Sequence, residues 1–254
     1  MTAMAEDMNI RQHPPVVAIV GTGNVASHLC NAFSGKAEMH QVNPHSLEGM
    51  PDYADFVIIS VKDDAIGSVA EKIKGKHGVI AHTSGSIPMS VLEHTGRRYG
   101  VFYPLQTFTK GERLNYSDIP FLIEGNSRYA VESLSALAGM ISENVREADS
   151  NARKTIHLAS VFACNFTNCL VGIADDILKE VGMDYRLLLP LLNQTVTKLN
   201  HLTPSEAQTG PAARLDLRVV NAHEQMLHDN GNHKLAEIYE DLSAEIIKKV
   251  KNRI

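Results

Sequence analysis

Tryptophan is absent from the 254 residues, so ligand binding has no indole emission to report it. Cysteine is scarce: Cys30, Cys164 and Cys169 form no CxxC pair. That excludes a cysteine-rich zinc site, and an odd count without a framework suits a reducing compartment, the cytoplasm. No apolar run approaches the ~20 residues that cross a bilayer, so no membrane association is expected. No run of lysine or arginine is present, and 24 Lys plus Arg stand against 29 Asp plus Glu, a formal net charge of −5. This argues against nucleic acid as the main partner. The first fifteen residues hold two acids and no apolar block, so they read as a loose leader rather than a signal peptide. No internal repeat or low-complexity segment occurs. What is present is ordinary globular composition, 44% apolar and 21% charged, with chain enough for one large domain or two smaller ones.

Residues 16–20 (VVAIV) are a continuous apolar run of strand length, ended by Gly21-Thr22-Gly23 and followed by a helical pattern through Val25, Ala26, Leu29, Ala32 and Phe33. Residues 56–61, 78–82 and 101–103 read as further buried strands, 119–123 as another, and 64–73 and 88–94 as helical stretches between them. Alternation of this kind, with β-runs apolar throughout, predicts a parallel sheet covered on both faces. From residue 149 onward no strand is evident. Apolar residues recur at helical spacing over 156–178, 185–199, 215–227 and 235–250. The fold class is therefore α/β, a Rossmann-type parallel sheet over 16–148 followed by an all-helical domain over 149–254.

Gly21-Thr22-Gly23-Asn24-Val25-Ala26 has the form G-x-G-x-x-A directly after a strand and at the start of a helix. The first glycine permits the tight turn, the second lets backbone N–H groups approach a pyrophosphate, and the small third residue lets helix and strand pack. The helix N-terminus then offers unpaired donors to phosphate. A plain glycine-rich βα turn is the competing interpretation. Residues 39–43 read as the second strand. Its end carries Asn43, His45 and Ser46 and lacks the Asp or Glu that would bind the ribose hydroxyls of NAD, which points to NADP without excluding NAD. Only about a dozen residues separate Asn43 from the next strand, close to the minimum for a parallel crossover. The second crossover helix is expected to be missing or vestigial, leaving the adenosine end open.

Four later stretches resemble one family: 82–86 (HTSGS), 100–108 (GVFYPLQTF), 157–168 (HLASVFACNFTN) and 208–214 (QTGPAAR). They look like the bacterial Rossmann-like proteins with a helical C-terminal domain grouped as DUF2520, whose members carry the label NADP oxidoreductase or F420-dependent NADP oxidoreductase-like. More distantly the layout resembles pyrroline-5-carboxylate reductase, ketopantoate reductase and the 6-phosphogluconate and hydroxyacid dehydrogenases. The resemblance implies an N-terminal dinucleotide domain, substrate held beside a helical domain, and a homodimer built from the helices.

Hydride transfer to C=O or C=N needs a positioned nicotinamide, a donor for developing charge and excluded water. In open α/β sheets such sites lie at the carboxyl ends of strands. There the chain offers Val61 and Lys62, then His82, Ser84 and Gly85, to the cofactor alongside Gly21, Thr22, Gly23, Asn24 and Val25, and offers Tyr103 and Gln106 to substrate. Each group is also explicable as a polar loop that caps a helix. On the first helix of the second half, His157, Ser160, Cys164 and Asn168 are spaced by 3, 4 and 4, which places them on one face with Asn165 beside it. His157 or a bound water is expected to supply the proton, with Asn165 and Asn168 orienting substrate; a structural histidine and a helix–helix contact through the asparagines are the competing interpretations. The related dehydrogenases place a Lys and an Asn on the comparable helix, whereas here the nearest lysine is Lys154. Gln208, Thr209 and Gly210 resemble in placement the substrate loop of pyrroline-5-carboxylate reductase. They precede a helix expected from Ala212, with Arg214 able to clamp a carboxylate or to pair with Asp216 or Asp118. His223, His228 and His233, five apart, share no helix face, so no metal site is expected. Cys164 and Cys169 are expected in the core, and Ile238, Leu242, Ile246 and Val250 in the core or a dimer seam. The reading is an NAD(P)-dependent oxidoreductase reducing a small anionic carbonyl or imine, with His157, Asn165, Asn168 and Thr209 catalytic. The alternative is a non-catalytic ligand-sensing or scaffold protein on a decayed dinucleotide fold.

Overall fold

The computed structural model describes residues 13–73 and 77–252, so residues 1–12 of the expected leader lie outside the described residues. Seven strands form one sheet in the order β2-β1-β3-β4-β5-β6-β7: β1 Val16–Val20, β2 Glu38–Val42, β3 Phe56–Ile59, β4 Val79–His82, β5 Arg98–Pro104, β6 Phe121–Gly125 and β7 Val145–Glu147. The first five are parallel throughout. β6 pairs with β5 antiparallel, Phe102 opposite Ile123, and β7 then runs parallel to β6. The expected Rossmann-type parallel sheet is present, with an antiparallel pair at β5 and β6. Short strands β3 and β4 are buried at every residue, because helices cover both faces and leave no polar face for alternation to mark.

The two faces sort by residue parity. Val17, Ile19, Phe56 and Ile58 join one apolar cluster, and Ala18, Val20, Val57 and Ile59 the other. The first is closed by α1 (Asn24–Phe33) through Leu29 and Phe33, and by α3 (Arg128–Gly139) through Leu134 and Leu137. The second is closed by α2 (Ile66–Lys72) through Ile66, Val69 and Ala70, and by the 3-10 turn Met89–Thr95 through Leu92. Neither α3 nor β7 is among the sequence expectations.

No helix joins β2 to β3, as the short spacing predicts. Residues 43–55 instead form a tight turn in which the Asn43 carboxamide oxygen accepts from the His45 amide at 2.9 Å, and the Leu47 amide donates to the Asn43 carbonyl at 2.9 Å. Leu47 takes a left-handed φ of 53° there, and its side chain, with Met50, packs on the second cluster.

The first compact unit runs through Cys169, and the second begins at Leu170, some twenty residues past the boundary expected at 148/149. The helix α4 (Ser150–Lys179) contains a π-helical segment, Val161–Phe166. By length and composition alone α4 is apolar enough to cross a membrane, although no unbroken apolar run in the sequence suggests it. The second unit continues with α5 (Leu189–Lys198), α6 (Pro204–Ala207), α7 (Leu217–Asp229) and α8 (His233–Lys251). Within it α7 and α8 pack together around Val220 and Ala236, and His223 Nδ1 lies 3.0 Å from the Tyr239 hydroxyl. Leu187, Leu191, Val196, Met226 and Leu242 remain exposed.

Candidate functional site

The site begins where β1 ends. A Cβ at Gly21 would fall 2.0 Å from the Ser60 carbonyl oxygen, so the close approach of β1 and β3 requires glycine. The Gly21 amide donates to the Val42 carbonyl at 2.9 Å, and the Gln41 carboxamide donates to the Gly21 carbonyl at 3.1 Å, which ties the turn to β2. Gly23 is the N-cap of α1, has no side chain to occupy the helix end, and a Cβ there would meet nothing within 4 Å. The first turn of α1 holds no acid. Its free amides therefore face open space, an arrangement that favours an anion.

That space is a cavity of about 850 Å³. It is bounded by Thr22, Gly23, Asn24 and Val25 at the turn, Pro44 and His45 after β2, Val61 and Lys62 after β3, Thr83 to Ser86 after β4, Tyr103 near the end of β5, and Gln106 and Phe108 after it, with His157 from α4. Nine of the thirteen residues expected at the cofactor thus border one space. Four do not. Gly21 and Asn43 shape the turns beside it, with the Asn43 carboxamide taken up by its own turn. The Ser46 hydroxyl accepts from the Glu48 amide at 3.2 Å. His82 is fully buried behind the cavity.

The His82 Nδ1 accepts from the Ser84 amide at 3.1 Å, so the ring proton sits on Nε2. Burial, with the Arg153 cation adding to it, lowers the imidazole from 6.5 to about 4. His82 is not itself in the lining of the cavity, and its buried Nε2 has no hydrogen-bond partner among the described residues. The neighbouring Ser84 hydroxyl accepts from the amides of Ser86 and Ile87 at 3.2 and 3.0 Å, shaping the loop whose backbone lines the cavity.

The Tyr103 hydroxyl and His157 Nδ1 lie 3.0 Å apart, with ring centroids separated by 5.9 Å in an edge-on arrangement. Gly85 makes the contact possible: a Cβ there would fall 2.8 Å from both His157 Nδ1 and Tyr103 Cζ. Burial raises the Tyr103 hydroxyl above its ordinary value, and the Ser160 side chain counters this. The pair is delivered by β5 and by the second turn of α4. The start of α4 is fixed by Asp149, which caps the Ala152 amide at 2.8 Å, and by an ion pair of Arg153 with Glu124 of β6. Arg153 also donates to the Ile87 carbonyl at 2.6 Å, joining helix, sheet and the loop after β4.

The loop between β5 and β6 is pinned to α1. The Asn24 carboxamide donates to the Phe108 carbonyl at 2.9 Å. His28, buried in the middle of α1, meets the Thr109 carbonyl through Nε2 at 2.8 Å and the Tyr116 hydroxyl through Nδ1 at 2.9 Å. A carbonyl only accepts, so Nε2 carries the proton and Tyr116 donates to Nδ1. The Phe108 ring stacks against His28 with centroids 4.9 Å apart. Sequence reasoning missed this latch; its one visible signal is a histidine on the apolar side of an amphipathic helix.

The expected polar stripe on α4 does not hold together. His157 and Ser160 are half-buried, but Cys164, Asn165 and Asn168 are exposed, as is Cys169. The π-helical segment shifts the ladder to i→i+5, so 3.6-residue spacing no longer keeps these side chains in line. Neither asparagine borders the cavity, and neither cysteine is in the core. In the second unit the Gln208 carboxamide donates to the Thr209 carbonyl at 2.9 Å, and Gly210 has φ 110°. The helix expected from Ala212 is a single 3-10 turn, Ala212–Arg214, stopped by Leu215 at φ 56°; α7 starts after an Asp216 cap. A three-residue turn supplies no helix-end anion site. Within the second unit Arg214 forms no ion pair among the described residues, so the alternative pairing with Asp216 is not made. Of Ile238, Leu242, Ile246 and Val250, none is in the core, and Leu242 is exposed. Among the described residues no cluster of His, Cys, Asp and Glu is placed to hold a metal.

Among curated protein sequences, none matches this chain. Among solved structures, the chain is 35% identical to a Bacteroides fragilis protein to which an NADP oxidoreductase activity is ascribed, with a TM-score of 0.81 over 92% of this chain and 98% of that one. A Thermotoga maritima protein matches at 20% identity and TM-score 0.72, over 94% of this chain and 99% of that one. The reductive aminase of Aspergillus terreus, solved with NADPH and ethyl-5-oxohexanoate, matches at 14% identity and TM-score 0.66, over 94% and 95%. The family model described as Domain of unknown function (DUF2520) covers residues 119–246. With half of its length in that model and a relative above 30% identity matched nearly end to end, this chain belongs to the DUF2520 family.

Proposed function

We propose that the protein is an NADP-dependent oxidoreductase that reduces a small carbonyl or imine compound. The observation that carries this is the placement of the Tyr103–His157 pair in the same cavity as the glycine turn. The turn fits a dinucleotide: Gly21 has no room for a side chain, Gly23 leaves the α1 N-terminus uncovered, and the amides from Thr22 to Val25 are the donors that would hold a pyrophosphate. Bound there, a reduced nicotinamide supplies the hydride. The chain's own residues supply the rest. His157 and Tyr103 hold a proton between the hydroxyl and Nδ1 and deliver it to the nascent alkoxide, or to the imine nitrogen as hydride reaches the carbon, so that reduction leaves no charged product in a low-dielectric space. Phe108, held by the latch on α1, and Gln106, whose side-chain oxygen accepts from the Thr107 amide, wall the substrate side and keep water from the reacting carbon. The 35%-identical relative and the NADPH-bound aminase support the cofactor assignment.

The test is a thermal-shift titration with NADPH and NADH, followed by a panel of carbonyl and imine acids. A ligand at ~100 times its Kd adds about 2.7 kcal/mol, roughly 5–10 °C for a chain of this size. In the active condition, His157→Ala and Tyr103→Phe are expected to lower kcat about 10²-fold or more while leaving the NADPH shift intact. Unchanged turnover in both variants removes the pair from the chemistry. No shift with either nucleotide at millimolar concentration favours the scaffold reading, for which the absent crossover helix is the supporting feature. Placement in the cytoplasm accords with the free thiols at Cys164 and Cys169. The partner we assign to the exposed apolar residues of the helical region (Leu158, Phe162, Phe166, Leu187 and Leu191 among them) is a second copy of the chain.

A further inference from the structure

The cavity's border bears on which nucleotide it accepts. That border includes Pro44 and His45 from the turn after β2, and Ala65, Ser68, Val69 and Lys72 from the α2 side, and the two segments share the second apolar cluster, one through Leu47 and Met50 and the other through Ile66, Val69 and Ala70. Sites that take a free ribose place a carboxylate at the end of the second strand to accept from its hydroxyls. Among the described residues that border this cavity the one acid is Asp63, at the end of β3, and it accepts from the Ser86 hydroxyl at 2.8 Å. No carboxylate borders the β2 end. Asn43 and Ser46, which the sequence offers for a phosphate, have their side-chain oxygens occupied by the turn itself.

Lys72 lies 29 positions beyond Asn43 in the chain, yet it borders the same cavity as the turn that Asn43 begins. It is exposed and makes no hydrogen bond or ion pair among the described residues. A lysine in the last turn of a helix is also what the helix dipole favours, and that alone would account for its presence. The dipole does not account for a cation on the border of a cavity whose one acid already accepts from Ser86, with His45 of the turn after β2 and the Ser68 hydroxyl, one turn earlier on α2, on the same border.

We propose that Lys72, with His45, forms a subsite for a phosphate monoester on the adenosine ribose, and that this subsite makes the cavity selective for NADP over NAD. The inference rests on the dinucleotide reading above. It replaces Asn43 and Ser46 as the discriminating groups. The lysine acts as a flexible point charge on a dianion, and the missing helix between β2 and β3 leaves the phosphate open to water on its other side.

The experiment measures Kd by calorimetry for NADPH, NADH, adenosine 2′,5′-bisphosphate and adenosine 5′-diphosphate on the full chain. The parent is expected to favour NADPH over NADH at least 10-fold. Lys72→Met, which keeps the aliphatic stem, is expected to weaken NADPH and the 2′,5′-bisphosphate by roughly 10- to 100-fold and NADH less than 2-fold. His45→Leu should do the same to a smaller extent. Lys62→Met is the comparator: Lys62 borders the cavity at the end of β3, where both nucleotides are alike, so its loss should weaken NADPH and NADH equally. Because Lys72 is exposed, an unchanged melting temperature of the unliganded variant is expected, and it separates binding from folding. Equal affinity of the parent for NADPH and NADH overturns the inference, as does an equal loss of both on Lys72→Met, while the dinucleotide reading survives. Failure of all four ligands to bind overturns both.

Discussion

The position of His157 depends on a buried ion pair, and removing either partner tests that dependence. Arg153 is fully buried and Glu124 is 14% exposed. Glu124 keeps two other donors, the Ser150 amide at 3.0 Å and the Ser150 hydroxyl at 2.8 Å, whereas the Arg153 guanidinium has left only the Ile87 carbonyl and the Ser150 hydroxyl, and its Nε has no partner. The two truncations should therefore differ. Glu124→Leu strands a buried cation and is expected to cost about 3–5 kcal/mol, the upper range for a broken buried pair. Arg153→Met leaves a carboxylate that is partly wetted and doubly hydrogen-bonded, and is expected to cost less, about 1–3 kcal/mol. The double variant should be more stable than Glu124→Leu alone, because the uncompensated cation is gone. At roughly 2–4 °C per kcal/mol, Glu124→Leu lowers Tm by roughly 6–20 °C. Calorimetry on the four proteins, read as a double-mutant cycle, gives the coupling. Losses below about 1 kcal/mol in both single variants would refute the reasoning, and so would a double variant whose loss is the sum of the two.

Two further predictions concern pH and assembly. Unfolded His82 binds a proton near 6.5 while folded His82 resists until about 4, so the unfolded state holds more protons in that window and stability falls as the pH is lowered through it. The loss from this group is about 2 kcal/mol between pH 7 and pH 5, measurable as a drop in the urea midpoint that His82→Phe abolishes; an identical drop in the variant would exclude His82 as its source. The exposed aromatic pair Phe162 and Phe166, 5.0 Å apart on α4, is expected to be covered by a second copy, so light scattering should return about twice 27.8 kDa, and Phe162→Lys with Phe166→Lys should return the single mass. A parent that remains monomeric and pellets with lipid vesicles would refute the dimer.

The sheet was legible because a strand buried on both faces leaves nothing but apolar residues to read, and the runs at Val16–Val20 and Phe56–Ile59 have that form. The glycine turn was legible because close approach of backbone to backbone admits one residue type. The direction of β6 was not: a run such as Phe121–Gly125 reads the same either way, and its pairing partner is set by the chain's path across residues 105–120. Arg153 reads as a surface residue of a helix, since its burial depends on Glu124, 29 positions earlier. Lys72 reads as an end-of-helix lysine for a similar reason, because only the packing of α2 beside the β2 turn reveals what it faces. The single face expected for His157, Ser160, Cys164 and Asn168, with Asn165 beside it, was lost to irregularity. It assumed an unbroken α-helix, and a π-helical segment leaves no mark in residue spacing.

The absent crossover helix need not imply a decayed site. In a sheet of this order the adenosine end has two sides, one formed by the connection after β2 and one by the helix after β3. Here the connection is reduced to the Asn43 turn, but that turn is firmly built: its amides are paired, Leu47 and Met50 anchor it to the core, and the Gly21 amide bonds Val42 just before it. The other side is intact, with Val69 in the core and Ser68 and Lys72 bordering the cavity. Loss of function would relax the costliest local constraints first, and the costliest is the glycine at position 21, where any side chain would collide with the Ser60 carbonyl. The same constraint holds at Gly85, beneath Tyr103 and His157. A chain that had abandoned nucleotide binding would have no need of an uncovered helix end at Gly23 and a paired hydroxyl and imidazole in one space. On the subsite proposed above, the reduced connection is a shift of the adenosine contacts from the β2 side to α2, whose Lys72 borders the cavity.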